Sequence, residues 1–455
     1  MINVMLFYLT YSCGLLQSLR AAPVYAFLTY QAVYFFNPQN RWWDYLVFDI
    51  SYSFYTSIMM IIVYLANKKE LDKNKLSNVP HFKWMYILFA LNFIAYYYAV
   101  NPDSHYKMLD NYFKLVIIIT VAYKLINSIR FLDYSLMAYV YGASYLSFVA
   151  YDTGRNSGDR VEGIGTVDSP DSNGTACALA PAVVICLYYV WVAKNWPQRI
   201  IFLIATALIA NALVLINSRG AFLAAFIGIL YFMGALFFTK IKASGQKMKI
   251  LVIGLLGLMA AFNLMDDSFK ERMLTIAPET EVQEDAESGS TRTIFWMAAI
   301  DMSFDFPFGQ GVKGFNHYGP VYIPYDIVVS SDPNADPTAV RHKSVHSSWF
   351  EALSEIGYPG LFVFLMLIFV SFRKTNQVKM YLKSLGPRVR EHYYKIIVIQ
   401  ASLLSFMVAA SFMNRLRAEI FYWCILFTAC AYNLYIAKRI NKPSYQKFIK
   451  SRNLS

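Results

Sequence analysis

Charge is what this chain has least of. Only 15% of its 455 residues are Asp, Glu, Lys or Arg, while 57% are hydrophobic and the mean hydropathy is +0.37, which excludes an ordinary soluble domain. Cysteine is scarce as well. Cys13, Cys177, Cys186, Cys424 and Cys430 all fall inside apolar runs and none in a polar connection, so no disulfide staple is expected and they read as small core residues. Met1 to Phe36 lacks both a basic start and a small-residue cleavage pattern, so the first spans are expected to direct insertion themselves. No repeat of fixed period and no interdomain linker stands out. The formal net charge of +12 is scattered over loops where anionic headgroups would meet it. No soluble segment concentrates basic and aromatic residues, which excludes nucleic acid as a partner.

What the chain does have is a succession of apolar runs able to cross about 30 Å of hydrocarbon. Spans are expected near 45–66, 84–100, 112–126, 132–151, 177–193, 199–216, 220–239, 249–264, 349–371, 396–414 and 419–437. The first 36 residues hold either one tilted span or two short ones split by Arg20, for twelve or thirteen in all. The fold class is therefore an all-α, polytopic integral membrane protein. Its expected organisation is transmembrane helices over 1–264, a large outer loop with interfacial helices over 265–348, further transmembrane helices over 349–437 and a basic tail over 438–455. Lys and Arg gather in alternate loops, at Lys68–Lys75, Lys194–Arg199, Lys240–Lys249, Arg373–Lys395 and Lys438–Arg452, and the positive-inside bias assigns these to the cytoplasm. The opposite set, 152–176, 217–219, 265–348 and 414–418, then faces the periplasm or cell exterior.

The outer loop is the exception to short connections, and loops of that length usually carry function or are disordered. Its middle, Pro278 to Ser290, is acidic and rich in small residues, and is expected to be mobile. Thr291 to Phe304 places Ile294, Trp296, Met297, Ile300 and Met302 as the apolar side of a short amphipathic helix on the membrane surface. Gly309-Gln310-Gly311-Val312-Lys313-Gly314 fits a dinucleotide fingerprint nominally, but lacks the strand, helix and acidic residue that motif requires, so its glycines read as tight turns.

Cations and imidazoles at the outer boundary carry the chemistry. Asn217-Ser218-Arg219-Gly220 sits between two long apolar runs with almost no loop, and small neighbours leave room for a ligand at the guanidinium. Anion binding outweighs plain snorkelling there. Ser288-Gly289-Ser290-Thr291-Arg292 repeats the arrangement at a helix start, whose dipole also favours an anion. Two such arginines could neutralise a diphosphate with bidentate bonds. His346 stands at the N-terminal mouth of a span, where the dipole disfavours the imidazolium and keeps the ring neutral, as a base requires. Arg160, Arg341 and His342 are secondary candidates for donor or acceptor contact, or solvated loop charges. The polar run Asp168, Ser169, Asp171, Ser172, Asn173 precedes a span, with capping and substrate contact weighing about equally. Asn173-Gly174-Thr175 is discounted as a glycosylation site. His317 and His342 near His346 raise zinc, but no HExxH spacing and no nearby Cys supports it, so neither metal nor cofactor is expected.

These residues, in this order, resemble the O-antigen ligase and polymerase superfamily of polytopic bacterial glycosyltransferases over most of the chain. The matching features are Asn217-Ser218-Arg219-Gly220-Ala221-Phe222, Arg292 with Trp296, Pro307-Phe308-Gly309-Gln310-Gly311, and His346 with Glu355, Gly357 and Gly360. The opening, with Asn37-Pro38, most resembles the exosortase-associated O-glycosylation ligase branch. The resemblance implies a GT-C-like inner-membrane enzyme whose outer domain covers a cavity for an undecaprenyl-diphosphate-linked glycan. It further implies diphosphate binding by Arg219 and Arg292, and metal-free activation of an acceptor hydroxyl by His346. One departure is Ser347, where many relatives carry Asn after the histidine. The acceptor, whether glycan, lipid or protein, is not legible. Two rivals remain: a multi-span transporter of a small anion or lipid-linked substrate, which would usually show broken helices, mid-membrane charges and repeat halves, and an assembly scaffold indifferent to His346 and Arg219.

Overall fold

The structure is a computed structural model and describes residues 2–39, 41–265, 269–270, 289–324 and 344–440. Its longer helices are α1 (Ile2–Arg20), α2 (Val24–Phe36), α3 (Tyr52–Ala66), α4 (Pro80–Ala95), α5 (Pro102–Leu125), α6 (Ile129–Thr153), α7 (Ser172–Val192), α8 (Trp196–Ile216), α9 (Arg219–Phe238), α10 (Gln246–Leu264), α11 (Gly289–Asp305), α12 (Gly314–Tyr322), α13 (Ser348–Ser384), α14 (Arg390–Ala410) and α15 (Glu419–Tyr435). Among the described residues seven helical stretches are long and apolar enough to cross a membrane, and α2 and α3 are shorter apolar helices. The opening region is thus two helices: Pro23, whose ring fixes φ and removes a donor, sits at the N-cap of α2 and ends the run that began with α1. Arg341, His342 and most of the acidic stretch before Ser290 lie outside the described residues.

Burial follows from sequence character. In α15 every residue from Glu419 to Tyr435 is buried, and α7 and α14 are nearly so, as expected of helices apolar on all sides. These three form the centre: α14 packs on α7, α9 and α15, and α2 packs on α6. Facing outward, α1 and α10 expose Met5, Leu9, Leu16, Leu251, Leu255 and Met259, side chains suited to lipid. Two boundaries differ from the apolar pattern. α5 starts at Pro102, ten residues before the expected span, because Asn101 caps the Ser104 N–H and proline is favoured in a first turn. α13 runs on to Ser384 through Arg373, Lys374 and Lys379, since lysine and arginine are good helix formers once outside hydrocarbon.

The break inside α13 positions the outer segment. Gly357 has φ +68 and Pro359 has no N–H to return to the Glu355 carbonyl. The freed groups are taken by the outer segment: Tyr358 N donates to Pro307 O (2.9 Å), Gln310 N to Ser354 O (3.0 Å) and Gly311 N to Glu355 O (2.9 Å). On the other side Val100 N donates to Gln310 O (3.0 Å), and the Val312 N–H reaches His105 Nδ1 at 3.0 Å. The glycines of the fingerprint-like stretch are the expected tight turns, with Gly309 and Gly311 at positive φ, and are close-approach positions as well. A Cβ on Gly309 would strike the Glu355 carbonyl group, and one on Gly311 would meet Ala99 Cβ at 2.5 Å and His105 Nδ1 at 2.9 Å.

The face of α11 also differs from expectation. Phe295, Ala298, Ala299 and Met302 are buried with Phe315, Ile323 and Val345 in a small second core, while Met297 is exposed. The helix packs against α13 and α12 through that face, so its periodicity reports protein packing.

Candidate functional site

Four separate stretches of chain meet at one end of the bundle, all from the set assigned to the outer face. The turn before α9 is set by Asn217, which caps α8 in the left-handed conformation (φ +56) and lets Arg219 open the next helix almost at once. The turn Ser157–Arg160 lies beside it: Val161 N donates to Leu215 O (3.1 Å) and Asn217 Nδ2 to Asp159 O (3.4 Å). Arg160 is thereby close enough for its charge to act on Arg219. The room that Gly220 leaves is used in part by Phe412, whose Cβ would lie 3.1 Å from a Cβ at that position.

His346 is held by its neighbours. It has a left-handed backbone (φ +49) just before the Ser347 N-cap of α13, and the Ser344 hydroxyl lies 3.3 and 3.2 Å from its two ring nitrogens. The following residues are tied to the loop before α15: Ser347 N donates to Asn414 Oδ1 (3.0 Å), Ser348 Oγ to Met413 O (2.8 Å) and Arg415 N to Ser348 Oγ (2.7 Å). From the other side Trp296 Nε1 donates to Val345 O (3.1 Å) and its ring stacks on Phe350, which fixes α11, and so Arg292, beside the histidine.

The result is a cavity of about 250 Å³ lined by Arg160, Arg219, Arg292 and His346 together with Arg415 and Asp171. Asn173, Asn217, Ser344 and Asn414 complete its polar wall. His317 sits apart on α12, edge-on to Tyr318. A larger cavity of about 730 Å³ shares Asn414 and Arg415 with the first and opens between Ile58 and Ile61 of α3 and Leu115 and Ile118 of α5.

Asp171 caps the helix it precedes and also borders the cavity. Its Oδ1 accepts the Gly174 N–H (2.7 Å), capping α7, and its Oδ2 accepts from Arg415 Nη2 (2.6 Å), so it borders the cavity as well. Although burial pushes its pKa up, Arg415 and the capping N–H hold it below the usual carboxylate value. Burial likewise works against the Arg415 cation, but Asp171, with Asp168 behind it, keeps that guanidinium above its ordinary value. Arg417 plays a different part. It is buried against Glu355 (2.6 Å), Glu351 (3.6 Å) and Asn92 Oδ1 (2.6 Å), so Glu355 belongs to a structural ion cluster under the cavity.

Fold and site together define a polytopic helical membrane protein with an anion-attracting, histidine-bearing cavity at one face. Residues 204–365 match the family model described as O-Antigen ligase, a stretch that contains Arg219, Arg292 and His346. That stretch is 162 of the 455 residues, and its similarity supports a relation to the O-antigen ligase/polymerase superfamily of membrane glycosyltransferases. No curated protein matches the chain.

Proposed function

We propose that the protein transfers a glycan from undecaprenyl diphosphate to an acceptor hydroxyl at the periplasmic face of a bacterial inner membrane, with inversion at the sugar carbon. The observation that carries this reading is the convergence of Arg219, Arg292 and His346, from three separated stretches, on one cavity. Arg219 and Arg292 bind the diphosphate through bidentate guanidinium forks, and Arg160 adds positive field beside Arg219. His346 takes the acceptor proton as the hydroxyl attacks from the face opposite the leaving group. Fixed guanidinium donors supply the positive charge that other enzymes draw from a metal ion. The acceptor is a glycan, lipid or protein hydroxyl.

The test is transfer in proteoliposomes from an undecaprenyl-diphosphate-linked glycan, followed by mass analysis of the acceptor. His346→Ala is expected to abolish transfer with normal expression. Arg219→Lys and Arg292→Lys, which keep the charge but lose the fork, are each expected to fall on the order of 100-fold, the scale of losing a transition-state donor. Transfer should persist in chelator. Full turnover by Arg219→Lys would overturn the diphosphate assignment.

A further inference from the structure

Among the described lining residues the cavity carries more guanidinium groups than carboxylates. Arg160, Arg219, Arg292 and Arg415 line it, and among the described lining residues Asp171 is the only carboxylate. A glycan-bearing lipid diphosphate is a diester with two negative charges, which Arg219 and Arg292 match. The charge rises during reaction. The bond between the anomeric carbon and the terminal phosphate oxygen breaks with its electron pair left on that oxygen, the acceptor oxygen bonds to the carbon, and the acceptor proton passes to His346. The lipid diphosphate left behind carries a third negative charge.

Arg415 is built into position for that charge. A Cβ on Gly174 would coincide with its guanidinium, so the glycine opens the space it fills. Nη2 is held by Asp171 Oδ2 (2.6 Å) and Ser169 Oγ (2.6 Å), while Nε is buried and has no hydrogen-bond partner among the described residues. A buried N–H without an acceptor is costly unless a ligand completes it. The backbone of Arg415 is anchored to Ser348, beside the His346 turn, and its side chain reaches away to the start of α7. Base and guanidinium are thus fixed to one frame and line one cavity. Arg160 Nε is likewise buried without a partner among the described residues, but Arg160 lies in a surface turn, is only half-buried and has no such clamp among those residues.

We propose that Arg415 is a further catalytic residue, donating to the terminal phosphate oxygen that takes the charge left by the departing glycan, with Asp171 and Ser169 as its positioning residues. This rests on Arg219 and Arg292 holding the donor diphosphate. Pre-set donors aimed at developing charge accelerate the step because they bind the product-like state better than the ground state.

The test measures affinities of purified full-length protein in detergent for undecaprenyl diphosphate and for undecaprenyl-diphosphate-N-acetylglucosamine at pH 8. The wild type is expected to bind the sugar-free trianion at least about tenfold more tightly, the scale of one charge-assisted hydrogen bond. Arg415→Gln should close that gap while keeping affinity for the sugar-bearing lipid within about twofold, and should lower kcat on the order of 10- to 100-fold. Arg415→Lys should keep part of the gap. Lowering the pH to 5.5 should shrink the wild-type gap as the terminal phosphate, with a second pKa of about 6, takes up a proton, and should leave Arg415→Gln unaffected. A gap that survives in Arg415→Gln overturns the proposal. So does an equal loss of both ligands in Arg415→Gln with a full gap in Arg415→Lys, which marks a purely structural residue. Failure of the wild type to bind either lipid instead removes the donor assignment on which this rests.

Discussion

At His346 the backbone sits in the left-handed region, which costs a residue with a side chain something and glycine almost nothing. Such strain persists where the surroundings enforce it, and here Ser347 and Ser348 are tied to the 411–415 loop. We therefore expect His346→Gly to be inactive yet as stable as the wild type or up to about 1 kcal/mol more stable, read by melting in detergent. A large loss of stability would mean that the imidazole holds the loop. Arg417 should behave in the opposite sense. Replacing it by Met strands Glu351 and Glu355 in a buried site, with an expected cost of about 3–5 kcal/mol, also read by melting. Arg219, Arg292 and Arg160 could be picked out beforehand because a guanidinium at an outer membrane boundary is conspicuous. Arg415 does not stand out in the sequence because its loop reads as a plain connection. Its signal is there: Arg415 and Arg417 fall two residues apart in a short loop of the less basic set, against the charge bias of that set.

Helices were legible where they are continuous and apolar, and their ends were not where capping or charged helix formers extend them, as in α5 and α13. The plug formed by Pro307–Gly311 in the broken α13 was hidden for a different reason. Its glycines, Gly309 and Gly311, answer to the Glu355 backbone 46 and 44 residues away, a relation that local pattern does not carry. The same relation makes it testable. Gly309→Ala puts a methyl group against the Glu355 carbonyl at a positive φ, so we expect a loss of about 1–3 kcal/mol and faster proteolytic cleavage of the outer segment. Unchanged cleavage would mean that the segment is held elsewhere, through the small core around Phe295 and Phe315.

For the molecule as a whole, the alternation of basic loops predicts which end faces which compartment, and all described cavity-lining residues of the arginine site come from loops and helix ends of the less basic set. Single cysteines at Asn156 and Lys242, introduced after Cys13→Ser removes the exposed native thiol, are expected to label with an impermeant reagent from opposite sides of the membrane. Labelling from one side would invalidate the orientation. The partition made by Asn414 and Arg415 between the small and large chambers has a thermodynamic consequence. A molecule that shifts either side chain from one chamber changes the lining of the other, and linkage demands that the effect be mutual: whatever factor the first occupant applies to the affinity of the second, the second returns.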